Sequence, residues 1–364
     1  MKPSHSVRIA LVGCGAISEL YYAPALAALR SGSAEVSAVF DPDADRAAKL
    51  ARLLPGAGVT TDFAEVLGRR PDLAIVASPP RFHAQQTIAL LEAGIGVLCE
   101  KPMAVTVAEA DAMIAAAARS PGPLAIGLFR RFFPVNRTIR DIVRGQHLGV
   151  VKRFEISEGG PFQWPAQSPS FFQKSGSHGG VLADLGVHVL DLLIWWFGVP
   201  ESIRYEDDAM GGLEANCRIE LGFPGGIAGT VRLSRDTQLP NRTVIECERG
   251  WLRCKAVAAD RLELGFPGSD HAFGGELVCV GPAGANSLRP LAADTYDHSF
   301  MRQLMNVIAA VRGTESVFIP PAEGAPSVRV IEQCYRQRGL MPMPWLDPAE
   351  SVRARALAAE GTSP

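Results

Sequence analysis

Val7-Arg8-Ile9-Ala10-Leu11-Val12-Gly13-Cys14-Gly15-Ala16-Ile17-Ser18 is the stretch whose reading decides the fold. A short apolar, β-branched run that stops at two glycines one residue apart, then enters helix-compatible sequence, reads as the first strand, turn and helix of a dinucleotide-binding unit. Gly13 permits the sharp turn out of the strand. Gly15 has no Cβ, so the backbone can come close to a pyrophosphate; the N–H groups opening the next helix, at Ala16 and Ile17, point at that anion with the positive end of the helix dipole. The third small position of the pattern is Ser18, where glycine is more usual. A glycine pair of this kind also arises as a plain tight turn, so the context downstream has to support it.

That context lies about 20 residues on, where the motif expects an acid at the end of the second strand. Val36-Ser37-Ala38-Val39-Phe40 reads as that strand and Asp41 follows it. A carboxylate there accepts hydrogen bonds from ribose hydroxyls and repels a 2′-phosphate, which favours NAD over NADP. Asp41 could instead serve the start of the helix near Asp43, since Asp-Pro-Asp is good capping chemistry, and Arg46 is near enough to leave NADP open.

Length and composition bound the rest. A chain of 364 residues with 47% hydrophobic content reads as about two domains, each with a substantial core. A net charge of −2 carries no electrostatic footprint for nucleic acid or an anionic membrane, and Arg69-Arg70 and Arg130-Arg131 are too short to be basic tracts. No apolar run reaches the roughly 18 residues of a membrane span, Val187 to Val199 being broken by Asp191. The apolar run after Lys2 and Arg8 is too short for a signal peptide. Seven cysteines, an odd number without a Cys-x-x-Cys pair, fit a reducing cytoplasm rather than a disulfide framework or a metal site. Cys14 stands where a helix N-terminus can activate a thiol, but reads better as a small packing residue.

From Val7 to Gly127 short buried strands alternate with amphipathic helices, the pattern of a doubly wound parallel sheet. Helices are expected over 44–54, 63–67 (capped by Asp62), 82–92 and 107–118, and strands over 73–77, 96–99 and 124–127. Ligands of such sheets sit at the carboxyl ends of the strands, so Ser78 and Pro79 should border the cofactor. The strand 96–99 delivers Glu100-Lys101-Pro102 to the same edge. Lysine is scarce here, six residues among 36 Lys plus Arg, and an amine kept at this point suits chemistry, because a desolvated Lys shifts its pKa whereas Arg does not. Lys101 could equally be a surface residue paired with Glu100. Beyond 126 the pattern changes: a helix to about 144, then alternating segments at 151–157, 217–223, 226–233, 243–248, 251–254 and 261–264, read as a large, mostly antiparallel or mixed open sheet with one covered face. Helices at 296–311 and 327–337 follow. The expected division is 1–126 for a Rossmann domain, 127–346 for an α+β domain, and 347–364 for a charged, Ala-rich, mobile tail.

Gly179 to Gly198 is the most informative stretch of the second half. At 100° per residue, Asp184, His188 and Asp191 fall within about 60° of one another on an otherwise apolar helix. Burying two carboxylates and an imidazole is costly unless they pair or line a polar cavity. A satisfied core histidine is the plain reading. Beside a nucleotide fold, a His titrating near neutrality suits proton removal from a hydroxyl being oxidised. Gly186, in mid-helix, suggests a close neighbour, since Gly there costs about 1 kcal/mol relative to Ala.

These motifs together resemble the Gfo/Idh/MocA oxidoreductases over nearly the whole chain: Gly13-Cys14-Gly15, Ser78-Pro79-Pro80 followed by His83, Glu100-Lys101-Pro102, Arg130-Arg131-Phe132, Gly179-Gly180 leading into Asp184-Leu185-Gly186-Val187-His188, and Glu323-Gly324 before a Ser-Val helix. Ser18 and Ser177-His178 depart from the family pattern. The resemblance implies a Rossmann domain plus a second domain with a large open sheet often used to build dimers or tetramers. It implies that Gly13, Gly15, Ala16, Ile17, Asp41, Ser78, Pro79, His83, Glu100 and Lys101 serve an NAD or NADP cofactor. It also implies that Lys101, Asp184 and His188 meet a sugar-like substrate beside the nicotinamide, with Arg131 as a further contact. The loop 159–176 is read as a specificity element: Phe162, Trp164, Phe171 and Phe172 could stack on a sugar face, and Lys174 could meet a substrate carboxylate or phosphate. The expected reaction is hydride transfer between nicotinamide and a secondary alcohol or ketone of a sugar, cyclitol or sugar derivative. Redox-assisted elimination by an NAD-dependent glycosidase and a non-catalytic dinucleotide-binding regulator stand as the alternatives.

Overall fold

Val7 to Val12 does form the first strand, β1, and it lies inside a six-stranded parallel sheet ordered β3-β2-β1-β4-β5-β6. The computed structural model describes residues 6–29, 34–166, 172–177, 179–269, 271–277, 296–344 and 346–360. The remaining strands of this sheet are β2 (Ala34–Phe40), β3 (Gly58–Thr60), β4 (Leu73–Val76), β5 (Gly96–Glu100) and β6 (Leu124–Gly127). Register runs Val12 beside Phe40 and Val76, then Val76 beside Cys99 and Cys99 beside Ile126. The carboxyl ends of β1, β2, β4 and β5 therefore finish level, where an open α/β sheet takes its ligands. β4 and β5 are buried at every position, as expected of strands covered on both faces.

The intervening helices are α1 (Ala23–Leu29), entered through a π-helical turn at Ser18–Tyr22, α2 (Ala44–Leu53), α3 (Phe63–Gly68), α4 (His83–Glu92) and α5 (Val107–Arg119). Their starts are set by local chemistry: Asp43 accepts from the N–H groups of Asp45 and Arg46, Asp62 from Ala64, and Thr106 with Glu109 closes a reciprocal capping box on α5. The compact unit built on this sheet comprises Met1–Phe129 together with Trp164–His178 and Phe300–Arg329.

The second compact unit comprises Arg130–Gln163, Gly179–Ser299 and Val330–Pro364. It holds a nine-stranded sheet ordered β14-β13-β12-β11-β7-β10-β9-β8-β15. Here β7 is Val151–Gly159, β8 Ser202–Asp207, β9 Asn216–Phe223, β10 Ile227–Ser234, β11 Arg242–Cys247, β12 Gly250–Lys255, β13 Arg261–Gly265, β14 Ala272–Glu276 and β15 Gly339–Leu340. All neighbours are antiparallel except β10 with β7 and β15 with β8. Helices α6 (Pro134–Arg144) and α8 (Val187–Phe197) belong to this unit; the single-turn α7 (Lys174–Ser177) belongs to the first. The end of α8 packs on the sheet through Phe197, which meets Phe154 of β7 and Phe223 of β9 at 5.6 and 5.5 Å between ring centroids. The opposite face carries Arg204 with Glu206, Arg218 with Glu220 and Arg153 with Glu246 as exposed ion pairs.

Two late helices, α9 (Tyr296–Val311) and α10 (Pro321–Arg336), occupy the expected region, α10 starting six residues earlier than its expected start at Ser327 because Pro321 and the Pro320 carbonyl open it. Within the expected tail, Pro348–Glu360 forms a helix, α11. Its Ala-rich composition is good helix-forming sequence.

Candidate functional site

The glycine turn is held by two different constraints. Gly13 has φ +97°, and a Cβ there would meet the Ser78 nitrogen at 2.6 Å and the Ala77 carbonyl at 2.7 Å, so β1 must turn directly against the end of β4. At Gly15 a Cβ would meet nothing within 4 Å. The space beside Gly15 is open, as a cradle for a phosphate requires, and the opening N–H groups at Ala16 and Ile17 have no intrahelical acceptor. Ser18 explains its own departure from glycine: it is fully buried and its hydroxyl donates to the Gly13 carbonyl at 2.6 Å, tying the helix back to the turn. Gly15→Ala is therefore expected to leave the unfolding midpoint close to wild type and weaken dinucleotide binding by about tenfold or more, whereas Gly13→Ala destabilises the fold itself. Chemical denaturation and fluorescence titration with NADH separate the two outcomes.

Asp41 ends β2, nearly buried, with its carboxylate already organised by protein donors. One oxygen accepts from the Cys14 N–H at 2.9 Å; the other accepts from the Asp43 N–H and from the Arg46 guanidinium at 3.0 Å. The helix cap is Asp43 and not Asp41, and the Arg46 cation stands beside Asp41. Burial, with help from Asp41, pushes the Cys14 thiol up to about 12. Its sulfur donates to the Phe40 carbonyl, so Cys14 is a packing residue.

At the ends of β4 and β5, Ser78 and Pro79 are half-buried, Ser78 donating its hydroxyl to Gln86 at 2.6 Å. Lys101 is half-buried at the carboxyl end of β5. His83 and Glu100, expected to contact the cofactor, are both held by protein partners. His83 is buried, and its two ring nitrogens lie 2.8 Å from the Ser78 and Pro102 carbonyls, clipping the β4 end to the segment after β5. Burial lowers its pKa. Glu100 is also buried; its carboxylate accepts from the Tyr22 hydroxyl at 2.5 Å and from the Lys101 N–H at 3.0 Å. Both residues shape the rim from behind.

Within this unit Trp164 lies parallel to Tyr21, 4° apart with centroids at 6.3 Å, and Tyr21 continues a column through Phe300 to Phe129 at 4.7 and 4.5 Å. Lys174 is exposed at the start of α7, which packs on the Pro80–Phe82 turn. Phe172 is exposed, and Phe171 and His178 lie outside the described residues.

In the second unit the stretch with Asp184, His188 and Asp191 is a π-helical turn at Leu182–Gly186 followed by α8. The wider turn breaks the uniform 100° spacing, and the three polar side chains do not share one task. Asp191 is the partner of Arg131: the guanidinium reaches its carboxylate at 2.7 and 3.0 Å, both side chains are at most 2% exposed, and Trp195 lies against the guanidinium at 5.3 Å. Arg131, expected to contact the substrate, is here a buried guanidinium balancing a buried carboxylate. Asp184, about one third exposed, pairs with Arg235 at the end of β10, and Arg235 lies over the Phe162 ring. His188 is buried one helical turn on.

The start of this segment depends on residues that no local pattern announced. Glu214 accepts from the N–H groups of Gly180 and Leu182 at 3.0 Å and from the Tyr335 hydroxyl at 2.8 Å, acting as an N-terminal cap supplied from afar. Gly180 is required because a Cβ would meet the Glu214 carbonyl oxygen at 2.0 Å. Gly186 has the expected neighbour: a Cβ would meet Leu233 of β10 at 2.9 Å. Arg130, named only as part of a motif, makes a buried bidentate pair with Glu158 at 2.6 and 2.8 Å. Tyr22, Glu158, Glu214 and Arg235 carry no motif signal, and only the fold brings them to these partners.

Residues 7–128 match the family model described as "Oxidoreductase family, NAD-binding Rossmann fold", and residues 136–253 match the "GFO/IDH/MocA C-terminal domain". Over 220 residues the chain is 32% identical to D-glucoside 3-dehydrogenase of Escherichia coli (strain K12), covering 59% of this chain and 61% of that protein. Over 231 residues it is 31% identical to myo-inositol dehydrogenase Hyg17 of Streptomyces leeuwenhoekii, covering 63% and 67%. The match to the rhizopine catabolism protein MocA of Rhizobium meliloti spans 59% of that protein's length. Levoglucosan dehydrogenase, solved with NADH and levoglucosan, has the same fold, with a TM-score of 0.80 at 19% identity over 92% of this chain and 97% of that one. Two family domains in their expected order, on a sheet that ends in an open glycine turn, place the chain in the Gfo/Idh/MocA family of oxidoreductases.

Proposed function

We propose that the chain is an NAD(P)-dependent dehydrogenase that interconverts a secondary alcohol and a ketone on a sugar, cyclitol or sugar derivative. The observation that carries this reading is the shared edge of one sheet: the turn open at Gly15 and the half-buried Lys101 both stand at carboxyl ends of its strands. Gly13, Gly15, Ala16, Ile17, Asp41, Ser78 and Pro79 would hold the dinucleotide. Once bound, a nicotinamide supplies the acceptor for the hydrogen and electron pair that leave the carbinol carbon. The chain's own groups do the rest. The His188 imidazole takes the hydroxyl proton, the Lys101 ammonium stabilises the negative charge developing on that oxygen, and Asp184, held by Arg235, orients the hydroxyl. Trp164 and Lys174 contact the sugar.

Asp41 favours NAD, and the cation of Arg46 beside it makes NADP worth assaying in parallel. The relatives named for glucoside and inositol dehydrogenation support the substrate class. We further propose a cytoplasmic homodimer or homotetramer. Six described cysteines are free, in keeping with a reducing compartment. No described helix is long and apolar enough to cross a membrane.

The test is a panel of sugars, cyclitols and keto-sugars with NAD and NADP, read by absorbance of the reduced nicotinamide. Reduced cofactor accumulates with at least one sugar-like alcohol. Turnover without accumulation would replace this reading by redox-assisted elimination, and binding without turnover by a regulator.

A further inference from the structure

We propose that Tyr22 is a positioning residue for Lys101, acting through the carboxylate of Glu100. The inference rests on the reading that Lys101 acts on the substrate, and it adds a residue that belongs to none of the motifs above. Tyr22 closes the π-helical turn that follows the glycine turn, and is fully buried. Its hydroxyl donates to one oxygen of Glu100 at 2.5 Å; the other oxygen accepts the Lys101 backbone N–H at 3.0 Å; and Gln303, also buried, donates to the Tyr22 oxygen at 3.2 Å. Phe300 braces the Tyr22 ring edge-on at 5.5 Å. Space for the carboxylate depends on Gly127, where a Cβ would stand 3.1 Å from the Glu100 carboxylate.

The consequence is a single hydrogen-bonded line from the element that meets the dinucleotide to the residue that delivers the amine. A buried carboxylate with one donor removed is left with an unmet acceptor beside a cation. Burial raises the pKa of both Tyr22 and Glu100, while the Tyr22 hydroxyl and the Lys101 charge pull Glu100 back down. Tyr22 thereby fixes the Glu100 carboxyl against the Lys101 backbone. Without its hydroxyl, Glu100 takes up a proton more readily, its hold on the Lys101 N–H weakens, and the half-buried amine becomes more open to solvent.

Tyr22→Phe keeps the ring and removes only the oxygen. Turnover on the best sugar is expected to fall about tenfold while the NADH dissociation constant stays within about twofold. Glu100→Gln is expected to fall similarly, with the double variant no worse than Glu100→Gln alone, because one path cannot be cut twice. Independently of activity, brief acetic anhydride labelling quantified by mass spectrometry should modify Lys101 about threefold or more faster in Tyr22→Phe, measured against exposed Lys152. Labelling equal to or slower than wild type, or additive losses in the double variant, overturns the assignment. Should the wild type turn over nothing on the panel, the dehydrogenase reading fails while labelling still decides the role of Tyr22.

Discussion

Replacing Lys101 by alanine is expected to lower turnover by about 10²–10³-fold while changing the NADH dissociation constant by no more than about twofold, the signature of a group that acts on the transition state. The asymmetry follows from position. In the proposed function, dinucleotide binding draws on the turn at Gly13 and Gly15 and on Asp41, whereas Lys101 stands at the end of β5, two strands from β1. In that proposal its ammonium meets a substrate oxygen, and the half-burial of the residue would strengthen such an interaction relative to bulk water. Steady-state kinetics with parallel NADH titrations measure both quantities. A variant with wild-type turnover would remove Lys101 from the reaction, and one that loses NADH binding would make it a cofactor residue.

The largest expected effect on stability lies at Asp191. Asp191→Ala removes the carboxylate that the buried Arg131 guanidinium pairs with beside Trp195, and should cost about 3–5 kcal/mol in urea unfolding. The pair itself contributes much less than its rupture costs, because two charges were desolvated to form it. Arg131→Met combined with Asp191→Leu is therefore expected to be less destabilised than Asp191→Ala alone. The reverse order would show that Arg131 and Asp191 hold a net favourable polar site.

The division between what the residues announce and what they conceal follows from the range of the forces involved. Local chemistry is legible: Gly13 and Gly15 turn a strand as only glycine can, Asp62 caps its helix, and Glu100-Lys101-Pro102 sits where a buried strand delivers it. The two-residue strand β15 and the three-residue β3 have too few positions for periodicity to register. Long-range pairing is hidden for a different reason. Nothing in the sequence couples Glu214 to Gly180, 34 positions away, or Tyr22 to Glu100, 78 positions away. The three polar residues around α8 show the limit most clearly. A uniform helical wheel groups Asp184, His188 and Asp191, yet the π-helical turn and two arginines from other elements send Asp191 into the core and leave Asp184 partly exposed. Glu100 and His83 sit in recognisable motifs, and still only burial and partners reveal that they brace the rim.

The central claim is that the chain moves hydrogen between a sugar carbon and a nicotinamide. The most direct measurement takes the best alcohol from the panel, deuterated at the carbon to be oxidised, and analyses the dinucleotide by mass spectrometry after turnover. The account predicts reduced dinucleotide carrying one deuterium from that carbon, formed in step with the ketone. Ketone-free product, or reduced dinucleotide without the label, would contradict it.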